Sequence, residues 1–329
     1  MPDPGTEVPD LVLPAPLSSD PLTPMRLAFL GSPPAAVPTL TELVAAGHDV
    51  ALVVSGPDKR RGRGAAKGPT PVKAAAVELG LPVTDRLEDV VDAGVDLGVV
   101  VAYGRIIPTA VLDVVPMVNL HFSLLPRWRG AAPVERAILA GDAVTGVCVM
   151  DVAEGLDTGD VHARTEVPVD DRVTEAELTA ELARVGADLM VDALQGGLDA
   201  GRPQSTTGVT YAHKITNEDR RLDWMLPAVD VARIVRIGGA WTTFRGERFK
   251  VLAAEPVDVD VVPDGPGVID GTDVACAPGT VLRLSVVQPA GRAAMDATAW
   301  VNGARPDGES FGADTAGGDL SGGGPSGQR

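Results

Sequence analysis

The chain has 329 residues, enough for about two domains. Apolar residues make up 45% and aromatic residues only 3%, so a sizeable core must be built from Val, Leu, Ala and Ile, and disorder of the whole chain is excluded. The net charge of −17 argues against a protein that coats nucleic acid generally.

The first 24 residues are rich in Pro and Asp, carry −4, and read as a disordered extension. They lack the basic start and apolar block of a secretory signal. The periodic pattern begins at Met25. Leu27 to Leu30 is a short apolar run ended by Gly31-Ser32-Pro33-Pro34, and a helical stretch with Val37, Leu40 and Val44 on one face follows. That turn lacks the second and third glycines of a dinucleotide site, so an ordinary strand-to-helix turn is expected. Val50 to Val54 is the next strand. The acid-free basic run after it holds Lys59, Arg60, Arg61, Arg63 and Lys67, with Gly62 and Gly64 to make it mobile. Val72 to Leu79 reads as helix, and Leu97 to Val101 and Val115 to Leu120 as buried strands. Val144 to Val152 and Val161 to Val169 are further strands. Thr174-Glu175-Ala176-Glu177 is a capping box that opens a helix to about Leu198. Short apolar runs separated by helices indicate a mostly parallel α/β sheet covered on both faces.

Residues 200–221 are rich in Gly, Ser and Thr and read as a linker. A helix over Val229 to Val235 then precedes Val-rich segments broken by Gly and Pro, the rhythm of a small β-barrel or sandwich. A second basic stretch runs from Arg233 to Lys250 and adds Arg236, Arg245 and Arg248. Residues 307–329 carry −3, end in Gly and Ser, and read as a disordered tail. The expected division is therefore 25–199 for the α/β domain and 222–306 for the β domain. No apolar run is long enough to cross a membrane. Cys148 and Cys276 are far apart and fit buried thiols of a reduced, cytoplasmic protein. His48, His121, His162 and His213 show no metal-ligand spacing, so no metal is expected.

The chemistry concentrates in Val118 to Pro126. In an extended chain Asn119 and His121 point to one side. At the carboxyl end of a parallel strand that side opens into the ligand crevice. An amide and an imidazole side by side can donate two hydrogen bonds to one developing oxyanion. The later turn Glu154-Gly155-Leu156-Asp157-Thr158-Gly159-Asp160 supplies a carboxylate, Asp157, able to orient His121 and accept a proton. Taken alone, the histidine can be structural and the acidic turn only a turn.

The run Asn119 to Gly130, with Asp157 in Gly-Leu-Asp-Thr-Gly, resembles the folate-dependent formyltransferases. The resemblance covers about Met25 to Arg305. It implies a Rossmann-like catalytic domain with Asn119, His121 and Asp157 as catalytic residues. Val100 to Pro108 resembles the strand and loop that border the folate pocket, which implies that Gly104, Arg105, Ile106 and Ile107 bind folate together with Ser123, Leu124, Leu125 and Pro126. Phe122 stands where many relatives carry a small residue and is expected at the pocket wall. The basic loop, with Arg220 to Trp224 and Gln288 to Met295, resembles the branch of the family that acts on tRNA and adds a C-terminal OB-type barrel. That branch implies 10-formyltetrahydrofolate as donor, initiator methionyl-tRNA as acceptor, tRNA contacts from Lys59, Arg60, Arg61, Arg63 and Lys67, and a monomer. The alternatives are a formyltransferase acting on a sugar amine or glycinamide ribonucleotide, and a folate- or RNA-binding module without catalysis.

Overall fold

The computed structural model describes residues 24–60, 67–195, 197–198, 200–260 and 263–312. Its first half contains β1 (Arg26–Gly31), α1 (Val37–Ala45), β2 (Asp49–Val54), the small hairpin β3 (Lys59–Arg60) and β4 (Lys67–Gly68), α2 (Pro71–Glu78), β5 (Val83–Thr84), α3 (Asp89–Asp92), β6 (Leu97–Val101) and α4 (Thr109–Leu112). It continues with β7 (Met117–His121), β8 (Arg129–Gly130), α5 (Pro133–Ala140), β9 (Val144–Asp151), β10 (Val161–Pro168) and α6 (Glu175–Gln195). The second half contains β11 (Tyr211–Ala212), α7 (Ala228–Arg236), β12 (Trp241–Phe244), β13 (Glu247–Val257), β14 (Ile269–Asp270), β15 (Asp273–Cys276), β16 (Thr280–Gln288), β17 (Met295–Asp296) and α8 (Ala297–Ala304).

Seven strands form one sheet in the order β10-β9-β7-β6-β1-β2-β5. From β5 to β7 neighbouring strands are parallel, as the continuous apolar runs require. β9 returns antiparallel to β7, and β10 antiparallel to β9. β6 is buried along its whole length, Leu97 to Val101. On β7 the period of two divides the residues cleanly: Val118 and Leu120 enter the main core with α1 and α6, while Met117 joins the cluster on the opposite face. Asn119 and His121 share that opposite face.

The capping box opens α6 as its sequence requires, with Thr174 N donating to Glu177 Oε2 at 2.9 Å and Glu177 N to Thr174 Oγ1 at 3.3 Å. The Thr174 N–H and hydroxyl, both donating to Glu177 Oε2, hold the Glu177 carboxyl below its ordinary range. Leu178, Leu182, Gly186, Met190 and Leu194 then line one buried face.

The second half is an antiparallel sheet in the order β12-β13-β16-β15-β14, with β17 on β16. The register slips between Val251 and Ala254, and such bulges bend and twist a strand. α7 and α8 contribute Val231, Val235, Ala297 and Trp300 to its core. Scarce aromatics are concentrated there: Phe244, Phe249, Trp300, Trp224 and Phe311 stack or meet edge to face. Phe311 corrects the expectation that the tail begins at 307. It is 3% exposed, and Arg245 pairs with Glu309 beside it. An apolar ring with an aromatic cluster in reach is drawn in despite polar, glycine-rich neighbours.

The linker is not a loose connection either. β11 pairs with β8, and Arg202 bonds with Val161 on β10 in both directions at 2.9 Å. Among the described residues no helix is long and apolar enough to cross a membrane.

Candidate active site

β7 delivers Asn119 and His121 to the carboxyl edge of the parallel strands, and the chain then turns through residues 122–130. His121 is buried, and its Nε2 lies 2.9 Å from the Trp128 carbonyl oxygen. A carbonyl only accepts, so Nε2 carries a proton whenever this bond is made. The remaining nitrogen, Nδ1, is the one that can exchange a proton. It faces Asp157 Oδ2 at 3.7 Å. The same carboxylate oxygen accepts from Gly130 N at 2.7 Å. Asn119 is half-buried, and its amide makes no hydrogen bond among the described residues. The structure thus brings together the three residues that the sequence singles out.

Asp157 reaches the site because residues 152–160 double back. β9 ends at Asp151, opposite Val118, below the carboxyl end of β7. The following turn must climb to the level of His121. Gly159 permits this, since a Cβ there would sit 2.0 Å from the Asp151 carbonyl oxygen. Asp157 itself has φ of +49°, a conformation that Asp tolerates better than most residues. Gly130 has φ of +126°, and a Cβ would meet the Ala212 carbonyl oxygen at 2.7 Å. Only glycine lets that backbone lie against β11 and present its N–H to Asp157.

The turn bearing Trp128 is fixed from two sides. Thr210 Oγ1 accepts from Trp128 N at 2.8 Å, and Thr210 O from Arg129 N at 2.9 Å. Asp142 accepts from Arg127 through Nε at 2.9 Å and Nη2 at 2.6 Å, and from the Trp128 indole at 2.7 Å. The bond to Asp142 pushes the Arg127 pKa up, and the guanidinium stacks 4.4 Å from the indole centroid. Asp142, Thr210 and Gln204 were not legible as site residues. They act on backbone and neighbouring side chains from far along the chain, and nothing in their local sequence announces it.

The expected folate-binding residues divide. Gly104, Arg105 and Ile106 are exposed and Ile107 half-buried at the end of β6, next to the end of β7. Ile106 is 92% exposed and Leu156, beside Asp157, is 63% exposed. Apolar side chains left open at a polar site fit a flat, largely apolar ligand. Leu124 and Pro126 are half-buried. Ser123 and Leu125 are corrections. Ser123 is 0% exposed and its hydroxyl donates to the Arg127 carbonyl at 2.6 Å. Leu125 packs on Cys148 and Met150. Both side chains are thus buried, Leu125 at 5% exposed. Phe122 is also corrected, because it lies in the main core and not at the pocket wall. Cys148, opposite His121 in the sheet, is buried, and burial pushes its thiol up to about 11. It is a packing residue.

Of the basic run, Lys59, Arg60 and Lys67 lie on paired backbone, Lys59 with Gly68 and Arg60 with Lys67. Arg61 and Arg63 lie outside the described residues, as does the expected mobility of the loop tip. The hairpin stem follows β2, whose carboxyl end lies at the same sheet edge as that of β7, three strand spacings or roughly 14 Å from it. The second basic stretch is largely spent within the protein. Arg233 pairs with Asp230, Arg236 donates to the carbonyl oxygens of Asp170 and Val173, and Arg245 pairs with Glu309. Arg248 donates to Asn217 and stacks on Trp241.

A family model described as formyl transferase matches residues 25–194, and one described as formyl transferase, C-terminal domain, matches residues 214–305. A methionyl-tRNA formyltransferase of Ruegeria pomeroyi is 44% identical over 296 residues, covering 85% of this chain and 97% of the relative. The chain belongs to the methionyl-tRNA formyltransferase family. It is therefore an enzyme, a transferase, and its two halves are the N- and C-terminal modules of that family. The fold recurs in an N-formyltransferase of Helicobacter canadensis solved with folinic acid and dTDP-3-aminofucose (TM-score 0.63, 15% identity, 80% of this chain and 99% of that one). It recurs also in HypX of Aquifex aeolicus in complex with tetrahydrofolic acid (TM-score 0.59, 16% identity, 85% of this chain), of which the chain spans about half, 47%.

Proposed function

We infer that the chain transfers the formyl group of 10-formyltetrahydrofolate to the free amino group of methionyl initiator tRNA, giving N-formylmethionyl-tRNA for translation initiation. The observation that carries this reading is the convergence of Asn119, His121 and Asp157 at one strand end, in a chain whose two halves both match the family.

The attacking amine must be neutral. As it adds to the formyl carbon, the carbonyl oxygen gains charge. The Asn119 amide and the protonated Nδ1 of His121 are the donors for that oxygen, while Nε2 stays on the Trp128 carbonyl and holds the ring still. Asp157 accepts the proton that the amine sheds, directly or through a water, and passes it toward the departing folate nitrogen. Its 3.7 Å gap to Nδ1 leaves room for that exchange and is of a kind that tightens in a substrate complex. Gly104 to Ile107, Leu124 and Pro126 are assigned to the folate side, and the basic hairpin to the acceptor end of the tRNA, where its cations neutralise phosphates.

On this reading residues 25–199 form the catalytic domain, 200–221 the linker, and 222–306, continued to 312, an OB-like domain that helps hold the tRNA. The protein works as a monomer in the cytoplasm, where initiator tRNA is charged and used. The deciding experiment supplies 10-formyltetrahydrofolate with methionyl initiator tRNA, free methionine or a sugar amine. Formylation confined to the charged tRNA is expected. Transfer to the free amines at comparable kcat/KM overturns the assignment.

A further inference from the structure

The geometry points to Gln204 as a positioning residue for the transfer step, acting on Asp157 from the linker. The inference rests on the proposed formyl transfer and adds a residue to it. Arg129 donates to Gln204 Oε1 through Nε at 3.0 Å and Nη2 at 2.7 Å. On its other side, Gln204 Nε2 donates to the carbonyl oxygens of Asp157 at 2.9 Å and Gly159 at 2.8 Å. The amide has only one workable orientation, because a guanidinium cannot accept and a carbonyl cannot donate. Four hydrogen bonds use both lone pairs and both amide protons of a half-buried side chain.

What these bonds join matters more than their number. Arg129 precedes Gly130, whose N–H is the donor to the Asp157 carboxylate. Asp157 and Gly159 bracket the turn that carries that carboxylate. One amide therefore spans both sides of the contact that aims Asp157 at His121. Asp157 sits at φ of +49°, a conformation that surrounding bonds must hold in place. With the carbonyl of Asp157 released, its peptide plane is free to rotate and the carboxylate swings off Nδ1. Misplacement by about 1 Å at a reacting centre costs on the order of 100-fold in rate.

The competing account is that Gln204 only fastens the linker to Arg129. Gln204→Glu separates the two. Glu has the same length and keeps the acceptor for Arg129, but it loses both donors and sets a charge against two carbonyl oxygens. In the full-length protein, Gln204→Glu and Gln204→Ala should both lower kcat about 10- to 100-fold with KM for donor and tRNA close to the parent. The melting temperature of Gln204→Glu should stay close to the parent. Parental kcat in Gln204→Glu, or a loss carried by KM alone, overturns the proposal. A readout independent of turnover is the ¹⁵N spectrum of the ring nitrogens in a protein with only four histidines. The His121 signals should shift in Gln204→Glu in the same sense as in Asp157→Asn. Unchanged His121 signals overturn the proposal whether or not the parent formylates tRNA, whereas an inactive parent with shifted signals overturns only the functional reading.

Discussion

The Trp128 carbonyl holds Nε2 of His121 at 2.9 Å, so the imidazole presents only Nδ1 to chemistry. This decides how the ring serves the reaction. A histidine with both nitrogens open could flip between tautomers, and one proton would be wasted on the wrong side. Here the second nitrogen is committed, and the first lies 3.7 Å from the Asp157 carboxylate, with Asn119 two residues back on the same face of β7. His121→Ala and Asn119→Ala should each lower kcat about 100- to 1,000-fold, as loss of one oxyanion donor does, with donor affinity nearly unchanged. Pre-steady-state kinetics and equilibrium binding of the folate check this. Folded Ala variants that turn over at parental speed would place the oxyanion site elsewhere.

Asp157→Asn tests the carboxylate without removing its bulk. An Asn oxygen can still accept from Gly130 N, so the turn should hold and the melting temperature should change little. The amide has no charge for Nδ1 and takes no proton. A large fall in kcat is expected across the pH range, measured as single-turnover rates. Full activity would reduce Asp157 to a turn residue.

Much of this site was legible in the sequence because its chemistry is local. Asn119 and His121 are two apart on a strand, and Asp157 sits in a turn marked by glycines. The strands were legible from apolar runs and α6 from its capping box. What was not legible is long-range. Ser123 looked like a pocket residue because it follows His121, but it turns inward to the Arg127 carbonyl. Gln204 lies in a stretch whose composition reads as loose linker. Its four bonds reach residues 45 to 75 positions away, which no local pattern shows. The basic stretch from Arg233 to Lys250 stands out in the sequence, but charge counts do not show that Asp230, Glu309 and main-chain carbonyls take Arg233, Arg245 and Arg236.

Phe311 gives a stability test. Its ring stacks on Trp224 at 5.4 Å and Trp300 at 5.8 Å and meets Phe249 at 5.0 Å. Phe311→Ala should destabilise the β domain by about 3–5 kcal/mol, the usual cost of removing a buried aromatic ring. Truncation after Pro306 should do the same, and truncation after Gly312 should not. Urea unfolding followed by Trp fluorescence reads this directly. A parental midpoint for Phe311→Ala would mean that the ring is not needed to close the core.

Acid stability should depend on Asp219. Bonds from Arg136 and Thr216 hold its carboxyl well below the usual carboxylate range, at about 2. The folded value is lower than the unfolded one, so the contribution is complete above about pH 4 and is lost as pH falls toward about 2. Arg136 lies on α5 and Asp219 near the end of the linker, so the pair also ties that end of the linker to the first half. Asp219→Asn should lower the unfolding free energy at neutral pH and flatten its decline between about pH 4 and 2. An equally steep decline in the variant would assign acid sensitivity to other carboxyls.

The basic hairpin separates an enzyme for tRNA from one for a small amine. Its five bases, Lys59, Arg60, Arg61, Arg63 and Lys67, contain no acid among them, in a protein of net charge −17. An acidic body repels a polyanion, so binding must be led by a local cationic element. The stem follows β2, at the edge where the carboxyl ends of β6 and β7 also lie. On the proposed function, contacts made there fall to the end of the tRNA that carries the reacting amine. Arg63→Ala should weaken productive tRNA use while leaving folate affinity intact. Replacing Lys59, Arg60, Arg61 and Lys67 by Gln together should flatten the salt dependence of tRNA binding. For every phosphate that is no longer neutralised, the slope of log K against log salt should fall by about 0.7–0.9. A small amine releases few counterions and would show neither effect. Unchanged affinity and unchanged slope in the Gln variant would make the hairpin a solvated turn. The proposal for tRNA would then rest on the second half alone, and the hairpin's place at the active edge would be incidental.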